Sequence, residues 1–193
     1  ATSKKVGRSE VNFPEPEPKN KRTVVSLDKD WITSMGKVTQ HVNIPHNWDD
    51  YYGYRNLTHG NLHGNATYQK RFIAPNAGTG KEFFIRFEGV GTYAHVKLNG
   101  NDLGRHLGGR TTFTLRVTDV IRQGKENILE VEAQHPELIA DMPWVCGGCS
   151  SEWGFSEGSQ PLGIFRPVVL EITDEVRVEP FGVHIWHNDQ VDS

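Results

Sequence analysis

In the stretch TYAHVKLNG, residues 92–100, apolar and polar side chains alternate: Ala94, Val96 and Leu98 fall on one face of an extended chain, and Tyr93, His95 and Lys97 on the other. That is the pattern of a half-buried strand. Asn99-Gly100 then closes it with a hairpin signal, because both residues tolerate the positive backbone angles of a tight turn. The same period of two recurs through Phe113, Leu115 and Val117, through Leu129, Val131 and Ala133, and through Tyr68 and Phe72. Further strands are expected at residues 82–88, 168–172 and 183–186. A helical period never persists for three turns; the one helical stub, Asp119 to Gln123, is stopped by Gly124. Short strands punctuated by 20 glycines and 10 prolines predict an all-β fold, an antiparallel β-sandwich.

The alternation begins at Thr23. Before it, Pro14, Pro16 and Pro18 interleave with Glu15 and Glu17, so residues 1–22 read as an extended or disordered lead-in. A chain of 193 residues suits a single core of this class. With 36% apolar and 23% charged residues the composition is that of an ordinary globular protein. The formal charge of -3, from 24 acidic against 21 basic residues, shows no footprint of a nucleic-acid partner. No apolar run is long enough for a spanning helix, and no charged-then-apolar leader opens the chain.

Two irregular stretches interrupt this frame, residues 47–65 and 134–163. Both exceed a connecting turn and both are rich in aromatic, His, Asn and Gly residues, which marks them as the places to look for binding. The second contains WVCGGC, residues 144–149, whose two cysteines are spaced as in a thiol–disulfide oxidoreductase. Such a centre needs its first thiol at a helix N-terminus, where amide dipoles stabilise the thiolate. Cys146 follows Met142-Pro143-Trp144, and no helical period follows Cys149, so redox catalysis is not expected. Zinc would require two further ligands, and no second cysteine pair exists. Cys146 and Cys149 therefore form a small structural disulfide or remain two free thiols. His106 is one of nine dispersed histidines without metal-ligand spacing, so a histidine metal centre is not expected either. Arg166, before Pro167, either pairs with a carboxylate or packs its stem on the sheet with its head in water.

Several segments, taken in order, carry a family resemblance. IPHNW at residues 44–48, YQKRF at 68–72, FEGVGTYAHVKLNGNDLGRHLGGRTTFTLRVTDVIRQGKENILEVEA at 87–133 and PLGIFRPVVLE at 161–171 resemble the amino-terminal sandwich of glycoside hydrolase family two. The resemblance spans residues 23–173. It implies a jelly-roll, galactose-binding-domain-like sandwich over residues 23–175, preceding an immunoglobulin-like domain and a catalytic (β/α)8 barrel. Residues 176–193 then read as a linker or the truncated first strand of the next domain. Retaining glycoside hydrolysis needs two carboxyl groups roughly 5 Å apart. In this family both reside on the barrel, which typically needs about 250 residues. The chain is accordingly expected to be a non-catalytic piece of a larger β-galactosidase-like or β-glucuronidase-like enzyme, with no catalytic residue of its own.

In related β-galactosidases, loops of this sandwich reach the barrel mouth and add substrate contacts. On that resemblance the substrate-binding candidates are Asn61, His63 and Asn65 in the first loop, and Asp141, Trp144, Glu152 and Trp153 in the second. Trp144, Trp153 and Phe155 offer flat apolar faces, while Asp141, Glu152 and Glu157 offer acceptors for sugar hydroxyls. The competing reading is that these aromatics pack against a neighbouring domain. Both loops depart from the familiar galactosidase spacing, which leaves the sugar open. The expected partners are a β-glycoside in the parent enzyme and the missing immunoglobulin-like and barrel domains, with neither nucleic acid nor membrane span. No cofactor is expected; family members sometimes hold ions through oxygen ligands, so a structural Ca or Na ion is the lesser alternative. An independent carbohydrate-binding module and a sandwich adhesion or interaction domain are the alternative functions. The family's glycan-degrading members imply a periplasmic or secreted location.

Overall fold

A computed structural model describes residues 22–49, 62–135 and 161–185. Its ten strands are β1 (Thr23–Ser26), β2 (Trp31–Met35), β3 (Val38–Val42), β4 (Gly64–Ile73), β5 (Lys81–Phe87), β6 (Tyr93–Leu98), β7 (Asn101–Leu107), β8 (Phe113–Arg116), β9 (Glu126–His135) and β10 (Val168–Asp174). They form two antiparallel sheets, β1-β10-β5-β8 and β3-β2-β4-β9-β6-β7. Beyond the hairpins β2–β3 and β6–β7, the neighbours are distant in sequence, as in a sandwich whose chain crosses repeatedly between layers.

The alternation read from the sequence is what joins the layers. Ala66, Tyr68 and Phe72 of β4, Ala94, Val96 and Leu98 of β6, and Leu129, Val131 and Ala133 of β9 line the inner face of the six-stranded sheet. They meet Phe83, Ile85 and Phe87 of β5 and Val168, Leu170 and Ile172 of β10. Each large side chain so buried contributes about 1.5–3 kcal/mol of hydrophobic stabilisation. The Asn99-Gly100 turn has φ of 53° and 80°, the left-handed pair that a two-residue hairpin requires. Beyond it β7 carries a bulge opposite Val96 and Lys97, with Leu103 the extra residue between Asp102 and Gly104. The helical stub is a single turn in which Val120 and Ile121 both donate to Val117 O. Buried Asn127 accepts from Arg122 N and donates to Arg122 O and Lys125 O, fixing that turn to β9.

Four strands were not marked by periodicity: β1, β2, β3 and β7. β3 is polar and exposed almost throughout, and β7 exposes most of its length, because both are sheet edges with little core to face. The strand expected at residues 183–186 is not formed over its described part, 183–185, where Val183 and Ile185 are exposed. The irregular stretches are also shorter than expected, since Gly64 and Asn65 already belong to β4, and Gln134 and His135 to β9.

The outer face of the four-stranded sheet holds a buried ionic group. The Glu171 side chain, 2% exposed, accepts from Arg86 Nε at 2.8 Å and lies 3.5 Å from Arg177 Nη1. Arg177 comes from the segment after β10 and lays its guanidinium 3.3 Å over the Phe84 ring.

Candidate functional site

The segment after β3 runs antiparallel to residues 162–164. His46 N donates to Ile164 O and Trp48 N to Leu162 O, at 2.8 and 2.9 Å. Asn47 Oδ1 accepts from Leu162 N and Asp49 N. Two of the segments that carried the resemblance, IPHNW and PLGIFRP, are thus bonded to each other. Beneath them Tyr68 rises from β4, its hydroxyl 2.8 Å from His46 Nδ1, while Trp48 Nε1 donates to Thr33 Oγ1 at 3.0 Å. The His46 ring meets Trp48 and Tyr68 edge-on at 5.7 and 5.8 Å. Burial pushes the His46 pKa down and the Tyr68 hydroxyl up, so both rings are held neutral near pH 7. The result is a neutral aromatic plug closing one end of the sandwich.

The described residues that flank 50–61 and 136–160 in the chain meet at this end. Asp49 Oδ2 accepts from Leu62 N at 3.3 Å, tying together the two roots of the first segment. His135 Nδ1 donates to Leu62 O at 3.0 Å, tying the second segment to the first. His135 also stands opposite Gly64 in the β4–β9 ladder, and its ring lies 4.7 Å from that of His63. Gly91 N donates to Gly163 O at 3.0 Å beside the re-entry of the second segment. At Gly163 the chain has a φ of 142°, and a Cβ there would sit inside van der Waals distance of Tyr68 Oη and 2.7 Å from His46 O. Only glycine admits so close an approach. All four roots, Asp49, Leu62, His135 and Pro161, therefore converge on one end of the six-stranded sheet.

Of the candidates named from sequence, His63 is half-buried just before β4, and Asn65 is exposed within β4 opposite Gln134. Asn61, Asp141, Trp144, Cys146, Cys149, Glu152 and Trp153 lie outside the described residues, as do Phe155 and Glu157. His135 was missed. Its polar character made it read as loop, yet it faces inward at the end of β9 and is fully buried. His106 stacks on Phe113 at 4.1 Å and lies 2.7 Å from Thr111 Oγ1, a packing role. Arg166 is exposed, with its guanidinium 5.6 Å from the Phe165 ring and no carboxylate partner among the described residues. Among the described residues no three His, Cys, Asp or Glu side chains are placed to hold a metal ion, and no helix is long and apolar enough to cross a membrane.

Comparison with known proteins identifies the scaffold. The family of glycosyl hydrolase 2 galactose-binding domain-like proteins matches residues 23–142. A β-glucuronidase of Bacteroides fragilis is 32% identical over 145 residues, covering 74% of this chain and 19% of that protein. A β-galactosidase of Thermoanaerobacterium thermosulfurigenes is 36% identical over 110 residues, covering 54% of this chain and 14% of that protein. Among solved structures, a β-glucuronidase from glycoside hydrolase family 2 superposes with a TM-score of 0.62 at 27% identity, covering 79% of this chain and 18% of that one. The chain thus spans less than a quarter of the length of each of these relatives. Built as two antiparallel sheets and matched over residues 23–142, the chain belongs to the glycosyl hydrolase 2 galactose-binding domain-like family.

Proposed function

We propose that this chain is the non-catalytic sandwich domain of a retaining exo-β-glycosidase of the β-galactosidase or β-glucuronidase class. It braces a catalytic barrel and lends that barrel's substrate pocket the two segments rooted at one end of the sheet. The observation that carries this reading is the convergence of Asp49, Leu62, His135 and Pro161, the described residues that flank 50–61 and 136–160 in the chain. Two long segments leaving a rigid scaffold at one place are how loop-built sites are made. Asn61, Asp141, Trp144, Glu152 and Trp153 all lie on these two segments, with His63 and Asn65 next to the first. Residues 176–185 would lead into an immunoglobulin-like domain, and their alternating exposed side chains, Val176, Val178, Phe181, Val183 and Ile185, suit burial against it. The reading calls for no cofactor in this domain and keeps a structural Ca or Na ion as the family-derived alternative. It places the work in the periplasm or outside the cell, where glycan chains are degraded.

The isolated chain should then fold and bring no glycoside hydrolysis of its own, since a retaining site needs a carboxylate pair set across the scissile bond. Purified protein assayed on a panel of aryl β-glycosides should give no turnover above buffer. Turnover that co-purifies with the chain and vanishes on substitution of one of its carboxylates would overturn the reading.

A further inference from the structure

The outer face of the six-stranded sheet carries an open cleft of about 420 Å³, within the size range of small-ligand sites. Its first row is set apart from the loop roots, with Gln69 five residues along β4 from Gly64, about 16 Å at the rise of a strand, whereas its second row, at Thr67 and Glu132, is three residues, about 10 Å, from Gly64 and His135. The ladder registers set its side chains in two rows. One row runs Ile32, Gln69, Glu130, Lys97, across β2, β4, β9 and β6. The next runs Ser34, Thr67, Glu132, His95 across the same strands.

The rows differ in what they leave available. In the second, Ser34 and Thr67 hydroxyls are bonded to each other at 2.7 Å, and His95 bonds Asp102 at 3.0 Å. In the first, Gln69, Glu130 and Lys97 form no side-chain hydrogen bond or ion pair among the described residues, although they stand shoulder to shoulder. Adjacent strands are about 4.8 Å apart, so these three side chains span roughly 10 Å and present an amide, a carboxylate and an ammonium in line. A rigid line of mixed donors and acceptors matches a ligand whose hydroxyls both donate and accept. Glu130 and Glu132 beside a single lysine disfavour an anion, and with the Tyr68 and Val131 side chains buried on the inner face, Ile32 leaves too little apolar surface for a lipid or an apolar peptide.

We propose that this cleft is a neutral-carbohydrate site, in which Gln69, Glu130 and Lys97 hold the hydroxyls of one or two pyranose rings against the sheet. It goes beyond the function proposed above, which concerns the loop end, and it stands or falls independently. Without an aromatic platform in the cleft the affinity is weak, with a dissociation constant on the order of millimolar.

The test is a titration of the isotopically labelled chain with methyl β-D-galactopyranoside, lactose and methyl β-D-glucuronide, followed by amide chemical shifts. Saturable shifts should centre on Gln69, Lys97 and Glu130 for the two neutral sugars, with the glucuronide binding at least about threefold more weakly. Glu130→Gln and Lys97→Met should each weaken binding roughly tenfold, as loss of a charge-assisted hydrogen bond does. Arg71→Ala, on the same face but outside the cleft, should change nothing. Melting temperatures within a degree or two of the parent would show that the variants remain folded. Absence of saturable shifts on this face up to about 100 mM sugar, preference for the glucuronide, or equal loss in Arg71→Ala would overturn the inference. Shifts confined to residues 62–64, 135 and 161–163 would overturn it too, while supporting the loop-end function.

Discussion

Gly163→Ala should destabilise the domain by about 3 kcal/mol, combining a side chain in a positive-φ position with overpacking of a filled site. For a domain of this size that lowers the melting temperature by roughly 6–12 °C. The added Cβ would press on Tyr68 Oη and on His46 O, two fixed points of the plug that joins the segment after β3 to residues 162–164. Neither can retreat easily: Tyr68 is buried between Trp31 and His46, and the His46 oxygen is backbone. Gly36→Ala is the matching control. Gly36 also has positive φ, 59°, but its Cβ would enter open space in the β2–β3 turn, so only the backbone cost of about 1–2 kcal/mol applies. Denaturant melts of the two variants measure the difference. Equal losses would mean that the close approach at Gly163 contributes nothing.

Glu171→Ala should cost as much or more, about 3–5 kcal/mol, because it removes the buried carboxylate that three guanidinium groups share: Arg86, Arg177 and, at 3.9 Å, Arg22. Arg177 is the more exposed to this loss: its side chain is 8% exposed and its other neighbours are the Phe84 ring and Glu179. Arg86 retains Glu88 at 2.6 Å and keeps part of its compensation. Glu171→Gln leaves an acceptor for Arg86 while removing the charge, and should fall between the parent and the alanine variant. Thermal melts of the three proteins check the order. The alanine variant should also let trypsin cut after Arg177, whereas the parent, whose Arg177 side chain lies against Glu171 and Phe84, should resist cleavage there. A Glu171→Ala protein as stable as the parent would show that the group is ornamental to stability.

The core was legible wherever a strand buries one face and exposes the other. Ala94, Val96, Leu98 and Leu129, Val131, Ala133 could be assigned inward from alternation alone, and the Asn99-Gly100 turn fixed how β6 leaves the sheet. Edge strands gave no such signal, which is why β3 and β7 emerged only in three dimensions. The site was less legible because it depends on register. Nothing in the order of residues says that Gln69, Glu130 and Lys97 align across three strands, or that Glu171 meets an arginine from beyond its own strand. His135 misled for a chemical reason: a polar side chain at a strand end reads as loop unless its bond to Leu62 O is known. IPHNW and PLGIFRP served in the sequence as marks of family, and only their mutual hydrogen bonds explain what the residues do.

The central claim is that the segments rooted at this end of the sheet serve a glycoside pocket completed by a barrel. Asp141→Ala in the full-length protein tests it most directly, with steady-state kinetics and melting temperature measured side by side on the preferred aryl β-glycoside. Loss of one or two hydrogen bonds to a sugar hydroxyl in the transition state should lower kcat/KM by roughly ten- to a hundredfold, with the melting temperature almost unchanged. Unchanged kinetics, or a melting loss large enough to account for the lost activity, would contradict the claim and leave Asp141 with a purely structural role.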